Sequence, residues 1–172
     1  MADKKFHRAE YEVVIDLPRA KVWEKLRDIS QAHNYVPGII KTVVTTDKTE
    51  GVGASRRVVS RVMALDETIV QWCEGKGFRI KLHQGKKSPA MFKEAYFTYT
   101  ISDTEDGKTK LITAMDYIMP FGPIGRIATN LILQGVVYSN IRDVALSAKS
   151  YYETGNKPKK SVLKGLRKTL AK

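Results

Sequence analysis

The sequence predicts an α+β domain in which an antiparallel sheet of about seven strands closes over one long C-terminal helix. Three observations predict it. A strand-like segment at residues 10–16 is followed at once by two short helical stretches. About six further strand-like segments then follow one another, separated only by turn signals. A single helical pattern from about residue 124 to residue 152 closes the body of the chain. Consecutive strands joined by short turns pair antiparallel. Such a sheet must cover its apolar face, and the long helix is the only element large enough to do so. A strongly curved sheet does not sit flush on a straight helix along its whole length, so a cavity between them is expected.

The elements read in order as follows. Residues 10–16 alternate and are β-branched, as a half-buried strand requires. Pro18 is a favourable first helical residue. Residues 18–28 then place Val22, Trp23 and Leu26 on one helical face. Ser30 is positioned to cap a second short helix reaching about Tyr35, and Pro37-Gly38 ends it. Residues 39–46 are rich in β-branched side chains, and Gly51 and Gly53 mark a turn before a strand at 54–63. A strand at 68–73 is followed by Gly75 and Gly77. Phe78, Ile80 and Leu82 alternate with Arg79, Lys81 and His83, a one-face-buried pattern. Residues 84–89 are a polar loop, and 92–102 is an aromatic and threonine-rich strand. Asp106-Gly107 is a hairpin turn signal, and 108–117 is the return strand.

Pro120-Phe121-Gly122-Pro123 breaks the strand pattern. Beyond it Ile124, Ile127, Leu131, Gly135, Tyr138, Ile141, Ala145, Ala148 and Tyr152 recur at helical spacing. A helix of that extent spans roughly 40 Å. Gly155 is a suitable stop, with Pro158 just beyond it.

Length and composition suit one globular domain. The chain has 172 residues, enough for one core and cramped for two. No stretch approaches the roughly 18 apolar residues of a membrane span, and the N-terminus lacks a secretory apolar region. The single cysteine, Cys73, excludes an internal disulfide and is expected to be a small buried hydrophobe. A cytoplasmic location is the expectation. The net charge is +12, but seven positive charges and no acid fall in the last 17 residues, leaving +5 for the other 155. Two parts are therefore expected: a ligand-binding body at 1–155 and a basic tail at 156–172.

The segment 13–28, Val-Val-Ile-Asp-Leu-Pro-Arg-Ala-Lys-Val-Trp-Glu-Lys-Leu-Arg-Asp, combines a strand, a proline and a helix with Val-Trp and a closing Leu-x-Asp. Tyr35-Val36-Pro37, then Asp116-Tyr117, then Pro120-Phe121-Gly122-Pro123 follow at matching spacing. On these pieces residues 9–154 resemble the START-like, or SRPBCC, superfamily. It includes polyketide cyclases, lipid-transfer START domains, coenzyme Q-binding proteins and birch-pollen-allergen relatives. The resemblance implies a helix-grip fold with an apolar cavity between sheet and helix. It implies binding, with transport or sequestration, of a lipid, isoprenoid, sterol-like or polycyclic molecule. The alternative it implies is a polyketide cyclase or aromatase-like enzyme. The shared motifs are structural and do not choose between carriers and enzymes.

The residues themselves narrow the chemistry. His7, His33 and His83 are isolated, and no metal-ligand spacing is present, so no metal and no cofactor are expected. No Gly-x-Ser-x-Gly elbow or phosphate-binding glycine loop occurs, and no catalytic residue is assigned. Phe97, Tyr99, Met115, Tyr117, Leu131, Gly135 and Tyr138 are the candidates for a cavity wall, mostly apolar with a few polar groups. The same residues would equally make an ordinary core. Asp116 and Tyr117 must face opposite sides of the sheet. Asp116 either joins Arg126 at a polar end of the cavity or forms a surface salt bridge. Tyr35, Pro37, Phe121 and Arg126 are the candidates for the cavity mouth. Gly135 lies mid-helix, where glycine costs about 1 kcal/mol relative to alanine. It either makes room for a ligand or packs against a bulky strand residue.

In the tail, Val162, Leu163, Leu166 and Leu170 fall on one helical arc, and Lys160, Lys164, Arg167, Lys168 and Lys172 on the other. A basic face beside a leucine stripe suits an anionic membrane surface. Lys160, Leu163, Lys164, Leu166, Arg167 and Lys168 are the candidates for that contact. A solvated tail, or one docked on a neighbouring subunit, fits the pattern too. Nucleic acid is a poor fit, because the body offers no recognised nucleic-acid module. The oligomeric state is not specified by the sequence.

Overall fold

Residues His7–Ile15 form β1, and the chain turns from it through Pro18 into α1 (Arg19–Leu26). A 3₁₀ turn (Ile29–Gln31) and α2 (Ala32–Tyr35) follow. Six strands come next: β2 (Ile39–Val44), β3 (Ser55–Ser60), β4 (Ala64–Cys73), β5 (Gly77–His83), β6 (Glu94–Asp103) and β7 (Thr109–Ile118). The long helix α3 (Arg126–Thr154) and a short α4 (Lys160–Thr169) complete the chain. This computed structural model describes residues 6–85, 87, 89, 92–119 and 126–170, with the backbone alone for 126–132.

The seven strands form one antiparallel sheet in the order β1-β7-β6-β5-β4-β3-β2. The first strand pairs with the last, Val13 opposite Leu111 and Ile15 opposite Thr109. Register shifts between Ile39 and Lys41 and between Ile69 and Gln71 interrupt the β2–β3 and β4–β5 pairings. Irregularities of this kind bend a strand and add twist. The inner face collects Val13, Ile15, Val58, Ile69, Phe78, Ile80, Tyr99, Ile101 and Leu111, all buried with α1 and α3 residues in one core. Trp23 packs there as its helical face requires, its ring 5.0 Å from Trp72, while its Nε1 donates to Glu74. Gly77 is required by close approach. A Cβ on it would lie 2.0 Å from the Tyr99 carbonyl oxygen, and its φ of 134° is one that side chains rarely adopt.

Helix α3 meets the core through Val137, Ile141, Val144, Ala145, Ala148 and Tyr152. The expected stripe is correct from Ile141 onward and drifts before it. Tyr138 and Gly135 were reached by two successive steps of three. Six residues before Ile141, Gly135 is turned about 120° off the buried face at about 100° per residue. It is exposed, and an added Cβ would meet nothing within 4 Å. Tyr138 lies at the edge of the face and is also exposed, its ring against Tyr11. Val137 takes the inward place.

Other local readings change for identifiable reasons. Asp28, not Ser30, caps the turn before α2, its carboxylate accepting from the Ser30 amide. The β3–β4 hairpin turns at 61–63 without Gly or Pro, because the Ser60 hydroxyl accepts from the Val62 and Met63 amides. Cys73 is exposed, on a strand end beside the open β4–β5 turn.

The tail forms α4, and its leucines do not face solvent as a group. Leu163 is buried and Leu166 partly buried in the core. Arg167 forms a two-point ion pair with Asp143 of α3, Nε to Oδ1 at 2.8 Å and Nη2 to Oδ2 at 2.5 Å. Lys160, Lys164 and Lys168 remain exposed.

Candidate functional site

Strand alternation builds the site. On β6 and β7, Phe97 pairs with Met115, Tyr99 with Thr113 and Ala95 with Tyr117, and these odd-numbered residues all lie on the inner face of the sheet. Phe97 lies 4.8 Å from Tyr99, and Phe92 lies 5.3 Å from Tyr117, ring centre to ring centre. The four strand candidates for the cavity wall therefore share one inward row. Tyr99, Met115 and Tyr117 are buried and Phe97 half-buried.

Further along the same face, β3 and β4 line a hollow of about 210 Å³ with the turn that leads into β2. Its walls are Val36, Pro37, Gly38, Ile39, Val58, Met63 and Leu65, with Ser60 and the carboxylate-bearing Glu67. Mostly apolar walls with one or two fixed polar groups are the usual make-up of a small-molecule site, but such sites run to roughly 300–1,000 Å³, so a hollow of about 210 Å³ takes one end of a ligand. Pro37, expected at a mouth, lines this hollow. Tyr35 lies deeper and is fully buried.

At the base stands a polar network that sequence reasoning missed. Arg56 Nε donates to Glu67 Oε2 at 2.6 Å, and Arg56 Nη1 donates to the Ile29 carbonyl at 2.9 Å and to the Tyr35 hydroxyl at 3.4 Å. Burial alone would lower the Arg56 guanidinium. Glu67, with Tyr35 and Tyr99 beside it, outweighs burial and holds it above the ordinary arginine value, so it stays charged. The Tyr35 ring makes an edge contact with Tyr99 at 6.2 Å and approaches Tyr152 at 5.6 Å. Burial pushes the Tyr99 hydroxyl well up, helped by Tyr35, and pushes Tyr152 well up, helped by Tyr35 and Tyr99. Both stay protonated and able to donate. Among the described residues the Tyr152 hydroxyl and His33 Nδ1 are buried without a hydrogen-bond partner. The available sequence signal was alternation: Arg56 and Val58 must share a face, and Val58 reads as core.

Asp116 and Tyr117 do face opposite ways. Asp116 is on the outer face, held by Arg8 at 3.0 Å and by Arg79 at 2.5 Å, with Arg79 stacked over Tyr96. It is an outer-face salt bridge. Leu131 and Arg126 have side chains outside the described set, and Phe121 lies outside the described residues. Gly135 and Tyr138 are not on the inner wall, for the helical-phase reason given above. Tyr138 and Tyr117 together border a second, more polar hollow of about 420 Å³ between β1, β7 and α3, with His7, Glu10 and Gln134. Of the tail candidates, Leu163, Leu166 and Arg167 are engaged with the body, and Lys160, Lys164 and Lys168 are exposed. Among the described residues no cluster of three His, Cys, Asp or Glu could hold a metal ion. No described helix is long and apolar enough to cross a membrane.

An antiparallel sheet gripping a long C-terminal helix, with an apolar hollow on its inner face, defines the helix-grip class. Residues 7–153 match the family described as polyketide cyclase / dehydrase and lipid transport, and the chain belongs to that family. No curated protein matches the chain. Among solved structures it is similar to an aromatase/cyclase, ZhuI, from Streptomyces sp. R1128. The TM-score is 0.64 at 14% identity, covering 88% of this chain and 98% of that one. It is also similar to Ara h 8.0201, with a TM-score of 0.61 at 12% identity, covering 86% of this chain and 98% of that one. At these identities the likeness shows the fold.

Proposed function

We propose that the domain binds a hydrophobic small molecule, of lipid, isoprenoid, sterol-like or polycyclic type, and carries or sequesters it. The observation that carries this reading is the apolar hollow of about 210 Å³ with an ion-paired carboxylate at its base. The apolar part of the ligand lies along Val58, Leu65 and Ile39. A polar end group meets Glu67. Family membership supports the reading, since lipid transport is one of the activities in the family's description.

The experiment is native mass spectrometry of the purified protein, with organic extraction of whatever is bound. A stoichiometric hydrophobic compound, absent from a Val58→Trp variant that fills the hollow, is the expected result. An empty wild-type protein that also fails to take up hydrophobic fluorescent probes would overturn it.

The Arg56–Glu67–Tyr35 network favours one other reading, a polyketide cyclase or aromatase-like enzyme. Adjacent proton-bearing groups at the base of an apolar site suit a proton relay during ring closure. The two readings part at Glu67→Gln. Under the enzyme reading this variant keeps probe binding and loses ring closure of a linear polyketide thioester. Under the carrier reading wild type and variant alike leave the thioester linear.

A further inference from the structure

The two ends of the sheet differ in what they expose. At one end lie the β2–β3, β4–β5 and β6–β7 turns, where Asp47, Glu50, Glu74, Glu105 and Asp106, with Asp103 at the end of β6, stand among Lys48, Lys76 and Lys108. Here Arg27 pairs with Glu50 and Glu74, and Arg19 with Asp103. At the other end β2 begins, β3 turns into β4, and the hollow opens, as the pairing of Ile39 with Ser60 and of Val59 with Ala64 fixes. Here Val62 is 91% exposed, Ile40 58% and Met63 45%. Lys41 and Arg61 stand exposed beside them. Residues 36–41 and 60–64 contain no acid. The described residues of the β5–β6 connection, which leaves and returns at this end, include Lys87 and Lys93 and no acid before Glu94 opens β6.

We infer that this open end docks on an anionic lipid surface, with Ile40, Val62 and Met63 entering the apolar boundary and Lys41 and Arg61 meeting the headgroups. A side chain as exposed as Val62 at a hairpin tip gains nothing from water, and apolar groups rimmed by bases are what an anionic interface binds. Each basic residue near such a surface adds attraction that falls off within a Debye length. At the opposite end acids and bases largely pair with one another, so the attraction is concentrated at the open end and turns the hollow toward the bilayer. This contact differs from the tail contact read from sequence, because the leucines of α4 are engaged with the core. The inference rests on the proposed ligand reading only in making this end the mouth.

The test is co-sedimentation of the full chain with vesicles of phosphatidylcholine alone and of phosphatidylcholine mixed with phosphatidylserine. Wild type is expected to bind the mixed vesicles, and binding should weaken with salt. Ile40→Asp/Val62→Asp and, separately, Lys41→Glu/Arg61→Glu should each lower that binding at least about tenfold. None of these four residues lines the hollow, so uptake of a hydrophobic fluorescent probe should be unchanged. A Lys160→Ala/Lys164→Ala/Lys168→Ala variant should bind as wild type does. The inference is overturned by a wild type that ignores mixed vesicles, by equal binding to phosphatidylcholine alone, or by loss confined to the α4 variant. It is also overturned if sedimentation shows a dimer that Ile40→Asp/Val62→Asp dissociates, since the patch would then be a self-association surface. Failure of probe uptake with vesicle binding intact would strike the ligand reading alone.

Discussion

Two ion pairs cross the β3–β4 ladder one residue apart, Arg56 with Glu67 and Arg57 with Asp66. Their nitrogen–oxygen distances are nearly equal, 2.6 Å and 2.7 Å. The two carboxylates are shielded nearly alike, Glu67 13% and Asp66 15% exposed, and the arginines differ. Arg56 is 2% exposed on the inner face, whereas Arg57 is 54% exposed on the outer one. The pleat alone makes this difference, because successive side chains point to opposite faces. The same chemistry then has different consequences. Outside, solvent screens the pair, and its contribution is typically 0.2–1 kcal/mol. Inside, both charges have lost most of their water, and the pair is held by mutual neutralisation and by the Ile29 carbonyl and Tyr35 hydroxyl. A buried pair of this kind gives little net stability over an apolar pair, but leaving one partner alone is costly.

The sharpest way to break the comparison is to remove one arginine from each face. Arg56→Met should destabilise by about 3–5 kcal/mol, because Glu67 is left without its partner. Arg57→Met should cost no more than about 1 kcal/mol. Urea unfolding midpoints read both. The double variant Arg56→Met/Glu67→Met should recover most of the loss, since two apolar groups need no neutralisation. If Arg56→Met and Arg57→Met shift the midpoint equally, face does not decide the role of these pairs.

A second comparison lies on α3, between Val137 and Gly135, two residues apart. Val137 is buried against the core and Gly135 is open to solvent. Val137→Ala should lose roughly 1–3 kcal/mol of stability. Gly135→Ala should gain about 1 kcal/mol, the helix-propensity difference, and should leave ligand uptake unchanged. A destabilised Gly135→Ala in thermal unfolding would place this glycine back in a packed contact.

These pairs also show what the sequence made legible. The succession of strands, the two short helices and the long helix followed from periodicity and turn residues, because a period of two or of 3.6 survives without tertiary information, whereas the pairing of β1 with β7 joins segments about a hundred residues apart and has no local signal. Phe97, Tyr99, Met115 and Tyr117 fall on one face because hairpin pairing fixes which residues share a face, but none of them lines the hollow at Val58 and Leu65. Gly135 and Tyr138 were misplaced because a stripe extended by steps of three drifts around the helix. Arg56 was missed because a charged residue in a short strand reads as solvent-facing. Only the partner Glu67, eleven positions on and opposite in register, makes its burial tolerable. The docking of α4 hinges on Arg167 and Asp143, 24 residues apart on different helices, and no local pattern encodes that pairing.

The smallest expected effect belongs to the outer pair and concerns pH. The hydrogen bond from Arg57 holds the Asp66 carboxyl below the usual range, against the opposing effect of burial and with help from the Gly85 amide. A carboxyl whose value is lowered on folding stabilises the fold at pH above its unfolded value, about 3.9. That contribution is lost as pH falls through the lower, folded value. Asp66→Asn should therefore be less stable than wild type at neutral pH, by about 1 kcal/mol or less. The gap should close in acid, as wild-type Asp66 takes up its proton. Added salt should narrow it as well, because Arg57 is open to solvent. A gap that persists in acid and in high salt would mean that Asp66 acts through packing and its contact with the Gly85 amide. The outer pair would then resemble the inner one more closely than the exposure of Arg57 implies.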